Sequence, residues 1–198
     1  MNTLSRVLFL LTAIAAAYEV VVGIDHYGQI SIVYFTLGFG IIMLASLLIL
    51  LIGYDVLENP LVIVVATLLP VSFALGLVNE YASTWHRPFL IFAILSILLI
   101  ILLKFTSLTK WGTLPIIAVH GVSGLIIFIV PFYLAFKGYK TTPFIFVGIG
   151  GLFMGLTGML LSMLKVGKPV LSRERILSLF PYILLLTTLL FGIGLNFG

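Results

Sequence analysis

A bundle of α-helices that crosses a lipid bilayer seven times is the fold class this sequence predicts, and three observations carry it. Of the 198 residues, 62% are hydrophobic. Only 8% are charged, where a soluble domain carries about a quarter. The apolar residues also fall into seven runs, each near the ~20 residues that a helix needs to cross hydrocarbon. The expected architecture is therefore all-α, a polytopic integral membrane bundle forming one transmembrane domain over residues 1–198, with lipid as its solvent.

The runs cover about 5–24, 30–53, 60–80, 87–105, 113–136, 143–165 and 175–197. The first begins like a secretory signal, but "TAIAAAYEVVVGIDHYG" stays apolar beyond its alanines and reads as a retained helix. The second is apolar throughout around "LGFG". Pro60, Pro88 and Pro143 open the third, fourth and sixth, where a missing N–H costs nothing. The fifth carries "AVHGVSG", and the seventh follows the basic loop "KVGKPVLSRER".

The formal net charge of +4 comes from ten Lys and Arg scattered between apolar runs, which is no footprint for nucleic acid. Arg6, Lys104, Lys110, Lys165, Lys168, Arg173 and Arg175 lie on one side of the predicted membrane, and Arg87, Lys137 and Lys140 on the other. Positive residues stay inside. The N-terminus is thus expected in the cytoplasm and the C-terminus outside, in the plasma membrane of a prokaryote. The absence of cysteine removes disulfides, thiolate catalysis and thiolate-bound metal.

Landmarks recur about 110 positions apart: "LGFG" with "VGIG", Pro70 with Pro181, and Ala13–Ala17 with Gly121–Gly124. They suggest two parallel three-helix units, 1–83 and 112–198, joined by a linker helix in 84–111. This three-one-three plan is similar to that of the SWEET sugar transporters, which implies a solute site between the halves. The chain departs from that family in lacking a recognisable proline loop motif and in its charge orientation.

The G-x-S-G of "AVHGVSG" resembles the nucleophile motif of rhomboid proteases. That family pairs its serine with a histidine on a later helix, and no histidine follows Ser123. With neither an orienting acid nor an oxyanion hole in view, the expectation is a non-enzyme. Small residues let helices approach closely in lipid. Gly121, Ser123 and Gly124, and Gly151 and Gly155 in a G-x-x-x-G continued by Gly158 and Ser162, are therefore expected to be helix-packing surfaces.

Ionisable groups inside a span cost roughly 2.5–3.5 kcal/mol on insertion scales and are functional candidates by default. Glu19 and His120 are the two. Helix rise puts them about 10 Å apart in depth, too far for a direct bond. Glu19 is instead expected near Tyr34 on the outer side. Asp25, His26, Glu80 and His86 gather at that boundary with Asn79, Trp85 and Arg87. Such a set suits a divalent cation or, with Arg87 at the propionates, a b-type haem. Trp85 suits an interfacial anchor.

Three functions follow from this reading. One is a small-solute or cation transporter using Glu19, Tyr34 and His120. Another is a haem- or quinone-binding subunit of a redox complex. The last is a non-catalytic subunit that packs against a membrane partner or a second copy.

Overall fold

The computed structural model of the protein describes residues 1–105, 113–165 and 170–198. Lys110 and Lys168, and the side chains of Ser162 and Lys165, on which the sequence reading drew, lie outside the described residues.

Seven helices are long and apolar enough to span a membrane, and no strand occurs among the described residues. They are α1 (Thr3–Val22), α2 (Gln29–Ile52), α3 (Pro60–Tyr81), α4 (Ser83–Lys104), α5 (Thr113–Phe136), α6 (Ile145–Lys165) and α7 (Arg173–Phe197). Their termini follow local chemistry. The Asn2 and Asn59 side chains accept from the backbone N–H of Ser5 and Leu61, capping α1 and α3. Gly23 and Gly53, at φ 79° and 97°, end α1 and α2 in a conformation that other residues rarely adopt.

Two starts differ from the sequence reading. Pro88 lies inside α4, because the chain is already turning at Ala82, whose carbonyl accepts from Trp85 at 2.8 Å. Pro143 sits in a 3₁₀ turn, Thr142–Phe144, that precedes α6.

The helices form a closed ring in the order α1, α2, α3, α5, α6, α7, and α4 leans on α3 and α5 from outside. Exchanging α1–α3 for α5–α7 leaves the order of the ring unchanged, but not the place of α4, which packs on α3 and α5 alone among these pairings. α3 and α7 oppose each other across the ring, and their Phe73 and Phe191 rings meet at 4.3 Å, both fully buried.

Glycines admit these rings. A methyl group on Gly38 would come within 2.7 Å of the Phe73 ring, and one on Gly76 would collide with Phe35. α2 and α3 thus exchange phenylalanines into each other's glycine notches. Gly150 does the same for Phe191, and Gly148 for Phe132 of α5.

Helix-interior prolines leave a carbonyl one turn earlier without its amide partner. Pro181 does this at Leu177, and the Tyr54 hydroxyl donates to that carbonyl at 2.9 Å. Pro70 does it at Ala66, on the wall of a small pocket.

The small residues of α5 and α6 divide. A methyl on Gly151 would meet Ile127 at 2.5 Å, so there the two helices do approach closely. On Gly121, Gly124 or Gly155 it would meet nothing within 4 Å among the described residues. Gly151→Leu should therefore lower stability by about 1–3 kcal/mol through overpacking, and Gly155→Leu should leave it within about 0.5 kcal/mol. Thermal unfolding in mild detergent checks the pair. Equal losses would contradict this division.

Candidate functional site

The polar residues collect at the face where α7 ends. The last turn of a helix leaves carbonyls without intrahelical partners, and loop side chains take those of α7. His26 Nε2–H donates to the Leu195 carbonyl at 2.8 Å, and the Tyr27 hydroxyl donates to the same oxygen at 3.2 Å. Thr141 donates to the Phe197 carbonyl at 2.7 Å, and Lys140 Nζ to that of Gly198 at 3.4 Å. The Lys140 ammonium also stands 5.1–5.7 Å from the centroids of Tyr27, Tyr81 and Phe144, within cation–π range. A cation at a helix C-terminus meets the favourable end of the dipole as well. Burial nonetheless pushes the Lys140 ammonium below its ordinary pKa, with the Glu80 carboxylate opposing that shift.

The predicted boundary residues go to separate partners. Glu80 accepts from the Gly28 N–H at 3.1 Å. His86 Nε2 and the Tyr34 hydroxyl are 3.0 Å apart, joining α4 to α2. Asn79 donates to Ser31 at 2.9 Å. Asp25 and His26 are exposed, as is Trp85. Among the described residues no group of three His, Asp or Glu side chains is placed to hold a metal ion.

Glu19 does not meet Tyr34. Half-buried, it turns to α7, where Asn196 Nδ2 donates to it at 2.8 Å and to the Gly192 carbonyl at 2.9 Å. A methyl on Gly192 would collide with the Glu19 carboxylate, so glycine there makes the room. Asn196 was missed in the sequence. Its signal was the four-residue spacing from Gly192, which puts a small residue and a polar one on the same helix face.

Three hollows among the described residues are apolar. A groove of about 680 Å³ runs between α5 and α6 past Gly121, Gly124, Gly151, Gly155 and Gly158. A smaller, partly open pocket of about 150 Å³ is walled by α2, α3, α5, α6 and α7. His120 and Gly158 line both. A third hollow, about 520 Å³, lies between α3, α4 and α5 around Phe89 and Phe92.

His120 Nδ1–H donates to the Ile116 carbonyl one turn back, at 2.9 Å. That bond fixes the tautomer and leaves Nε2 as an acceptor. Ser123 is fully buried, and among the described residues its hydroxyl has no hydrogen-bond partner, His120 included.

Tyr27 gives this face a pH dependence. Burial, with a smaller contribution from the Glu80 carboxylate, pushes its phenol up from 10.0 to about 12. The folded state thus disfavours tyrosinate. The corresponding stability is fully present below pH 10 and is lost as pH rises towards about 12. Wild type should lose about 2 kcal/mol more than Tyr27→Phe across that window. Denaturation at alkaline pH checks this, and identical curves for the two proteins would contradict it.

No family model, curated protein or solved structure matches this chain. Its geometry makes it a seven-helix, multi-pass membrane protein with polar side chains capping the end of α7 and an apolar groove flanked by His120.

Proposed function

We propose that the protein holds a lipid-soluble ligand in the α5–α6 groove, as a quinone-binding or lipid-binding membrane subunit would. The observation that carries this reading is the bare surface of Gly121, Gly124 and Gly155 beside His120. Glycine in a membrane helix ordinarily lets another backbone come close. Here nothing among the described residues lies within 4 Å of a methyl placed on any of the three. An unfilled hollow forfeits dispersion contacts along its lining, so an apolar chain gains by entering it. The groove has the size of a small-molecule site, and His120 supplies one polar group to orient what enters.

Transport of a small solute or cation is the second reading, favoured by the Glu19–Asn196 pair inside the spans. It ranks second because Phe35, Phe39, Phe73 and Phe191, all fully buried, fill the middle of the ring.

A photoreactive alkyl lipid in reconstituted bilayers tests the proposal. Labelling should concentrate on residues 117–128 and 151–159, and Gly155→Leu should cut it about tenfold while the protein stays folded. Label spread evenly over every lipid-facing helix would contradict it. Protection of the groove by a co-purified polypeptide would favour the partner-subunit reading instead.

A further inference from the structure

α4 stands outside the ring, and its seam with the ring is open. The hollow of about 520 Å³ between α3, α4 and α5 is lined by apolar and aromatic side chains alone. Three of them, Trp85, Pro88 and Val122, are exposed, so the hollow faces lipid and is not sealed within the bundle. Left empty, it would forfeit dispersion contacts along its walls.

Its length fits a chain. Val122, Ile126 and Val130 line it at four-residue steps, which is one face of α5. Helix rise over those steps is about 12 Å. One leaflet contributes half of the hydrocarbon, about 15 Å. An acyl chain of a single leaflet therefore runs the whole slot.

The slot has a polar mouth. The same face of α5 continues through Tyr133 to Lys137, at spacings of three and four residues. The Lys137 N–H still donates to the Tyr133 carbonyl at 3.0 Å, so helical geometry holds through that turn. Both side chains are exposed. Among the described residues no ion pair or side-chain hydrogen bond engages Lys137. Trp85 stands at the same end, because α4 begins there at Ser83. Trp and Tyr favour the headgroup level, and lysine extends its ammonium into it.

The other charges at this face are committed or turned away. Lys140 serves the Gly198 carbonyl and three rings. Arg87 is two residues from Trp85, about 200° around α4. Glu80, the one carboxylate on α3, α4 and α5, accepts from the Gly28 N–H. An anion at the mouth thus meets Lys137 and no carboxylate on the lining helices.

We infer that the slot holds one acyl chain of an anionic phospholipid, with its phosphate at Lys137 and its glycerol region beside Trp85 and Tyr133. The lipid completes the packing of α4 on α3 and α5. This site is separate from the α5–α6 groove and does not depend on the reading of that groove.

Native mass spectrometry in mild detergent tests it, with phosphatidylglycerol and phosphatidylcholine of identical chains supplied in equal amounts. The most tightly held lipid on wild type should be phosphatidylglycerol, favoured about fivefold, as one lysine at an anionic headgroup confers. Lys137→Gln should bring the ratio near one without changing the melting temperature in phosphatidylcholine. Arg87→Gln and Gly155→Leu should leave the preference intact. Val122→Phe, which fills the slot, should lower retention of both lipids severalfold, and Val130→Phe replaces it if that variant does not fold. Equal retention of the two lipids by wild type, or equal loss of preference in Lys137→Gln and Arg87→Gln, overturns the headgroup position. Retention unchanged by the slot-filling variant overturns the chain position. Loss of the preference in Gly155→Leu would move the lipid to the groove and overturn the site as a whole.

Discussion

The bundle depends on phenylalanine rings seated against bare glycine backbone. Helices in lipid gain little from hiding apolar surface from one another, since the solvent is equally apolar. Their association rests on close packing, and a flat ring against a glycine gives large contact area at short range. Gly38 takes Phe73 and Gly76 takes Phe35. Phe73 then reaches across the ring to Phe191, itself set against Gly150. One chain of contacts thereby ties α2 and α3 to α6 and α7, and these helices position everything else.

That packing decides where chemistry is available. With aromatic rings in the middle, polar groups are pushed to two places. At the face where α7 ends, they are occupied with one another: His26, Tyr27, Thr141 and Lys140 each serve a carbonyl of the last turn. Nearer the other face, beyond the Phe73–Phe191 contact, Pro70 leaves the Ala66 carbonyl without its helical amide. The first arrangement is self-sufficient and reads as structure. The ligand reading therefore rests on the open groove between α5 and α6 and not on the denser cluster.

Much of the fold was legible in the sequence because hydrocarbon thickness fixes the length of an apolar run. The third, fifth and seventh stretches match α3, α5 and α7 to within two residues at each end. Pro88 misled, since a proline within the first turns of a helix is tolerated nearly as well as one at its start. The candidate site was less legible. Composition showed that His26 and Glu80 share a boundary, yet it could not show that their bonding capacity is spent on a helix end and a loop amide. The glycines of α5 and α6 look alike in sequence. Only the path of the neighbouring helix separates Gly151, where a methyl would meet Ile127, from Gly155, where it would meet nothing within 4 Å among the described residues.

A double-mutant cycle on Gly38 and Phe73 tests the central packing most directly. Unfolding free energies would be measured in mild detergent for wild type, Gly38→Ala, Phe73→Ala and the double variant. The added methyl would crowd the ring at 2.7 Å, so Gly38→Ala should cost about 1–3 kcal/mol with Phe73 present. In the Phe73→Ala background the methyl enters free space, and its cost should nearly vanish, leaving a coupling of at least about 1 kcal/mol. Additive losses, with Gly38→Ala costing the same in both backgrounds, would contradict the account.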